Sequence, residues 1–280
     1  MRASHGRKPT ARKAFPEKRR ASEAASDDVA LLYGVHTVRE ALLAGKREFL
    51  ALYATENALP RIAEAASRAG LEPRLIDARE LTRRLGEEAV HQGLLLEACP
   101  LPQLALDEIE TKSGLVLALD QITDPHNVGA MLRSAAAFAV DATIVTERHG
   151  PQFSGVLAKA ASGALEHVPV VNVVNLARSL EHLSRQGYWL VGLDSEGETD
   201  LEEAPLRAPV ALVLGAEGKG LRRLTRERCD LVARLDMPGP IKSLNVSNAC
   251  AVALSVLRRR IATLEPKRKK APPGGEPDGA

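Results

Sequence analysis

Six short apolar runs constrain this chain more than any other feature. They lie at Leu115–Leu119, Ala142–Val145, Val168–Val174, Tyr188–Leu193, Val210–Leu214 and Leu231–Leu235. Each has the length of a strand, and their largely continuous apolarity suits strands covered on both faces. Helical segments near 128–139, 154–164, 175–186 and 220–228 fall between them, and a last helix is expected at about 246–262. Strands linked by such crossovers form a mainly parallel sheet with helices on both sides. Aromatic residues are only 3% of the chain, so Ala, Leu and Val must build its interior. Ligands of such sheets bind outside the carboxyl ends of the strands.

A smaller α/β unit precedes this sheet. Val35, Val38, Leu42 and Leu43 mark a short amphipathic helix stopped by Gly45. Strands are expected at 49–53, 74–76 and 94–96, with helices at 57–69 and 78–85. The expected organisation is a basic tail at 1–28, a small domain at 29–99, a linker at 100–113, the large domain at 114–264 and a second basic tail at 265–280. No internal repeat is visible.

The net charge of +2 understates the polarity of the ends. Residues 1–20 carry Arg2, Arg7, Lys8, Arg12, Lys13, Lys18, Arg19 and Arg20 against one acid, Glu17. Arg258 to Arg260 and Lys267 to Lys270 load the other end. Such tails either contact a polyanion, RNA or DNA, or are solvated without a partner. An Arg-rich start could imitate an organellar transit peptide, but it mixes in lysines and lacks an apolar helical face. No apolar run is long enough to span a membrane, and the cytoplasm is the expected location. Cys99, Cys229 and Cys250 show no metal-ligand spacing and read as small core residues of a reducing compartment. No metal is expected.

Three strand-to-helix junctions carry the polar chemistry. The first runs from Asp120 to Ala135 and contains DPHNVGAMLRSA, with Asn127 as the expected N-cap. Its Arg133 lies off the apolar stripe of Val128, Leu132 and Ala136. That arginine either reaches a phosphate or an activated hydroxyl, or it is a surface or salt-bridging side chain. The second junction, LVLGAEGKGL, delivers Glu217 within a glycine-rich turn that fits neither the P-loop nor the GxGxxG order. Gly215 would let backbone approach a ligand closely. Glu217 could instead cap the next helix or pair with Arg133 or Lys219. The third, DMPGPIKSLNVSNA, presents Ser243, Asn245, Ser247 and Asn248, and Asn245 or Ser247 can cap the final helix. Capping accounts for one of these four groups. Ser243 has no nucleophile elbow. His36, His91 and His126 lack metal spacing and read as structural.

Together these junctions resemble the three motifs of the SpoU (TrmH) family of RNA 2′-O-ribose methyltransferases, in the SPOUT superfamily. The segment from YGVHTVREALLAG to HQGLLLEA is similar to the small L30e-like substrate-binding domain of members that act on large ribosomal RNA. The resemblance implies a SPOUT-type α/β fold with a C-terminal trefoil knot, a homodimer, and S-adenosylmethionine (AdoMet) as cofactor. It places Gly215, Leu235 and Leu244 at the cofactor through their backbones, with Leu214 and Met237 nearby. It implies an active site of Asn127, Arg133, Glu217, Ser243 and Asn245. Asp236 stands where the pattern usually has proline, and Asn248 where a small apolar residue is common. Asp236 would add a charge beside the adenosine pocket.

The implied reaction is methylation of a ribose 2′-oxygen, most specifically of a guanosine in 23S rRNA. The guanidinium's pKa above about 12 argues against Arg133 as an ordinary base. Its expected role is to bind the adjacent phosphate and stabilise the developing alkoxide. Two other readings stay open here: the same reaction on tRNA or another rRNA nucleotide, and a non-catalytic RNA-binding ribosome-assembly protein.

Overall fold

A computed structural model describes residues 29–148, 150 and 155–264. Both basic tails of the sequence analysis lie outside the described residues, apart from Arg258 to Arg260.

The first sheet has four strands: β1 (Ala30–Tyr33), β2 (Phe49–Ala54), β3 (Arg74–Leu75) and β4 (Leu94–Ala98), in the order β1-β4-β2-β3. Strand β4 runs antiparallel to both neighbours, and β3 runs parallel to β2. Helices α1 (Val35–Ala44), α2 (Ala63–Arg68) and α3 (Ala78–Leu85) complete this unit. The expected helix at 57–69 is broken, because Pro60 starts a 3-10 turn over Leu59–Arg61 before α2 begins. Strand β1 was not anticipated; its four residues carry too little pattern.

The second sheet comprises β5 (Leu115–Asp120), β6 (Ala142–Thr146), β7 (Val170–Val173), β8 (Trp189–Leu193), β9 (Thr199–Asp200), β10 (Val210–Gly215) and β11 (Leu231–Arg234). Its order is β7-β6-β5-β10-β8-β11-β9, and every described pairing is parallel. All six residues of β5 and of β10 are buried, as central strands covered on both faces require. Side chains alternate between two cores. Leu115, Leu117 and Leu119 join α4 (Pro125–Ala137) and α8 (Val246–Leu264), while Val116 and Ala118 join α6 (Leu176–Arg185). Two shorter helices, α5 (Gly155–Ala161) and α7 (Arg223–Arg228), fill the remaining connections.

Residues 100–113 are not bare chain. Leu104, Leu106 and Ile109 pack against the α6-side core, and Thr111 Oγ1 lies 2.7 Å from the Tyr188 hydroxyl. No helix among the described residues is long and apolar enough to cross a membrane.

Candidate active site at the carboxyl ends of the strands

Strand order reverses beside β5. The chain runs outward through β6 and β7, crosses to β8, and returns to lay β10 between β5 and β8. The loops after β5, β8, β10 and β11 therefore meet at one edge, at the switch point where ligands of open α/β sheets bind.

Two carboxylates hold these loops. Asp120 ends β5 and is only 1% exposed. It accepts hydrogen bonds from the Arg222 backbone N–H at 3.0 Å and from Arg222 Nε at 2.6 Å. Asp194, just past β8, accepts from Arg226 Nη1 at 3.0 Å. The loop after β10 is thus tied to both neighbouring strands. Sequence reasoning passed over Arg222, Asp194 and Arg226 altogether, and noted Asp120 only as the start of a junction. A carboxylate closing an otherwise apolar strand was the signal available.

Within this frame the glycine-rich turn closes on itself. Ala216 and Gly220 form an isolated antiparallel bridge, and Gly218 and Gly220 take φ of 75° and 63°. A Cβ on Gly215 would lie 2.1 Å from the Gly220 carbonyl. The absence of a Cβ at Gly215 lets the chain's own Gly220 backbone pack closely against it. Glu217 is exposed and has no ion-pair partner among the described residues, so the expected pairings with Arg133 and Lys219 do not form.

The third junction meets the first. Asn245 is the N-cap of α8: its Oδ1 accepts from the Ser247 backbone N–H at 2.9 Å and from Ser247 Oγ at 2.6 Å. Its Nδ2 then donates to Asn127 Oδ1 at 3.0 Å. Asn127 is not a cap, contrary to expectation. Pro125 opens α4 because the first helical position needs no N–H, and Asp124 caps it by accepting from the His126 and Asn127 backbones. Freed from capping, the Asn127 side chain reaches Asn245.

Residues 235–244 lie between β11 and α8 without regular structure. None of their backbone groups enters a backbone–backbone hydrogen bond among the described residues. Leu214 and Gly215 are buried at the end of β10, Leu235 and Met237 are half-buried, and Leu244 is exposed. Asp236 and Asn248, the two departures from the family pattern, both face solvent.

Among the described residues, hydrogen bonding joins two of the five expected active-site residues. Asn127 and Asn245 touch, whereas no hydrogen bond or ion pair joins Arg133, Glu217 or Ser243 to them among the described residues. Arg133 follows Asn127 by six residues, which on a helix means about 9 Å of rise and about 240° of rotation. It opens into a cleft shared with His36, Glu40 and His167.

Burial pushes the Cys250 thiol in the core up to about 12, and burial with the nearby Asp230 pushes Cys229 up to about 12. Cys99 is half-buried outside the core, with Sγ 3.9 Å from Glu48 Oε2, and so departs from the expected core role. His91 is structural: its Nδ1 accepts from the Gly93 N–H at 3.0 Å, and burial lowers its pKa. No cluster of metal-binding side chains occurs among the described residues.

Residues 114–255 match the family model described as the SpoU rRNA Methylase family. Residues 31–104 match the model described as RNA 2′-O ribose methyltransferase substrate binding. The chain belongs to the SpoU RNA methylase family. Relatives within it include the 23S rRNA (guanosine-2′-O-)-methyltransferase RlmB of Pseudomonas aeruginosa, 41% identical over 84% of this chain and 98% of that protein. The RlmB of Coxiella burnetii is 38% identical over 82% of this chain and 95% of that protein. Among solved structures, an RNA 2′-O ribose methyltransferase aligns at a TM-score of 0.72 and 27% identity, covering 86% of this chain and 92% of that one. The SpoU methyltransferase AviRb of Streptomyces viridochromogenes, solved in complex with AdoMet, aligns at 0.72 with 22% identity, over 88% of this chain and 95% of that one. Likeness at that identity supports the SpoU fold.

Proposed function

We propose that this chain methylates the 2′-oxygen of a guanosine ribose in 23S rRNA, with AdoMet as methyl donor. The observation that carries the reading is near full-length similarity to RlmB enzymes, with every polar residue of the three motifs present.

The residues at the switch point fit AdoMet. The loop at 235–244 offers backbone amides and carbonyls free of backbone–backbone hydrogen bonds, although Lys242 Nζ donates to the Met237 carbonyl, and Leu235, Met237 and Leu244 offer aliphatic surface to an adenosine beside the buried Leu214. Gly215, Leu235 and Leu244 would hold it through their backbones. When bound, it supplies an electrophilic methyl group on a sulfonium. The chain's task is then to orient a weakly acidic hydroxyl and stabilise the charge that develops on it. Arg133 serves that role through its permanent positive charge and by holding the neighbouring phosphate. Asn127, locked by Asn245, together with Ser243 and Glu217, orients the ribose.

A homodimer explains why Arg133 stands apart from Asn127 and Asn245 in one chain, since a second copy would supply the missing side chains. The exposed Ile241, Leu244 and Val252 give that copy an apolar surface. The family likeness further supports a trefoil knot in the strands around the cofactor loop, and a cytoplasmic location beside the rRNA. It also supports the division into a small domain at 29–99, a linker at 100–113 and a methyltransferase domain at 114–264.

The deciding experiment maps ribose methylation across total RNA from cells with and without this protein. One guanosine of 23S rRNA should lose its methyl group. An unchanged 23S map, or a loss confined to tRNA, would refute the substrate assignment.

A further inference from the structure

The small domain is seated on the large one through specific contacts. Thr37 Oγ1 donates to the Ala158 carbonyl at 3.3 Å, Lys159 Nζ to Gln92 Oε1 at 3.1 Å, and Arg47 Nε to Glu166 Oε1 at 2.8 Å. The Arg47 and Glu166 side chains are only 4% and 2% exposed. Parting the domains would break this ion pair together with the two hydrogen bonds beside it. The sequence also accommodates the contact: a Cβ on Gly163 would lie 2.3 Å from Glu40 Cβ. The two domains therefore form fixed walls.

Between those walls is a cleft of about 290 Å³, lined by His36 and Glu40 from the small domain and by Arg133, Ser162, Gly163 and His167 from the large one. Ser162 takes φ of 50° here, a left-handed conformation that costs energy in a residue other than glycine. Glu40, the only carboxylate in the lining, is engaged with His167 Nε2 at 3.2 Å. Arg133 has no ion-pair or hydrogen-bond partner among the described residues. The cleft thus presents an unpaired guanidinium from one domain and the exposed His36 imidazole from the other. A singly charged group with only acceptor oxygens suits that pair, and RNA carries one at every linkage.

We propose that this interdomain cleft is a preformed subsite for an RNA phosphodiester beside the target ribose, gripped by Arg133 and His36 together. It rests on the reading of the chain as an RNA ribose methyltransferase and adds a contact from the small domain. The small domain is then a wall of the active site as well as a surface that captures RNA.

The test is the affinity of the full-length protein for an unmodified 23S rRNA transcript, by filter binding. His36→Ala should weaken binding at least fivefold, and His36→Arg, which keeps a donor, should restore it to within twofold. AdoMet affinity should be equal in all three proteins, showing an intact large domain. In an Arg133→Ala background the His36→Ala loss should shrink below twofold, as for two groups on one phosphate. Unchanged RNA affinity in His36→Ala, or full additivity with Arg133→Ala, would overturn the subsite. Methyl transfer to the same transcript is a separate readout. Wild-type protein that binds RNA through His36 but transfers no methyl group would sink the activity and leave the subsite standing.

Discussion

Asn245 Nδ2 donates to Asn127 Oδ1 at 3.0 Å, joining two helix starts 118 residues apart. The same Asn245 caps α8 through its oxygen, so its amide cannot flip without losing the cap. Helix capping thereby sets the direction of a candidate active-site side chain. Asn245→Ala should cost about 1 kcal/mol through the lost cap and lower methyl transfer at least tenfold. Asn127→Ala should lower transfer similarly with a smaller change in Tm. Thermal unfolding and turnover of the two variants check this; equal losses of stability would show that the pair is not divided in this way.

Asp120 ties the loop after β10 to β5 by accepting two hydrogen bonds from Arg222. Asp120→Ala leaves the Arg222 N–H without its buried acceptor, and should cost about 1–3 kcal/mol. The loosened loop should weaken AdoMet binding at least fivefold. Calorimetric titration measures it, and an unaltered affinity would show that the loop keeps its shape without this anchor.

The thiols of half-buried Cys229 and buried Cys250 stay protonated at ordinary pH, because burial raises both to about 12. A raised pKa removes thiolate below that range, and the thiolate is the reactive form. At pH 8 an alkylating reagent should modify Cys99 first in the native protein, and all three cysteines after denaturation. Peptide mass mapping distinguishes them, and rapid native labelling of Cys250 would contradict its place in the core.

How far the sequence could be read depended on what each residue's role required. The central strands were legible because burial on both faces demands uninterrupted apolar residues, as in Leu115–Leu119 and Val210–Leu214. Helix α3 was placed at its observed limits because Asp77 caps it and Gly86 ends it. Strands β1 and β9 were missed, since four and two residues take their conformation from the neighbours they pair with. Asn127 was assigned a cap because its residue type suits one; the competing cap at Asp124 with Pro125 prevailed. The polar residues of the three motifs were visible as a set, but their spatial separation was not. Helix phase places Arg133 away from Asn127, and nothing local in the sequence marks the cleft that receives it.

The central claim is that Arg133 acts in methyl transfer and not in holding the fold or the cofactor. It is exposed and unpaired among the described residues, so its removal should leave structure intact. The most direct measurement compares wild-type protein and Arg133→Ala for AdoMet affinity and for turnover on 23S rRNA. AdoMet affinity should be unchanged and methyl transfer reduced at least tenfold. Turnover near the wild-type rate would contradict it.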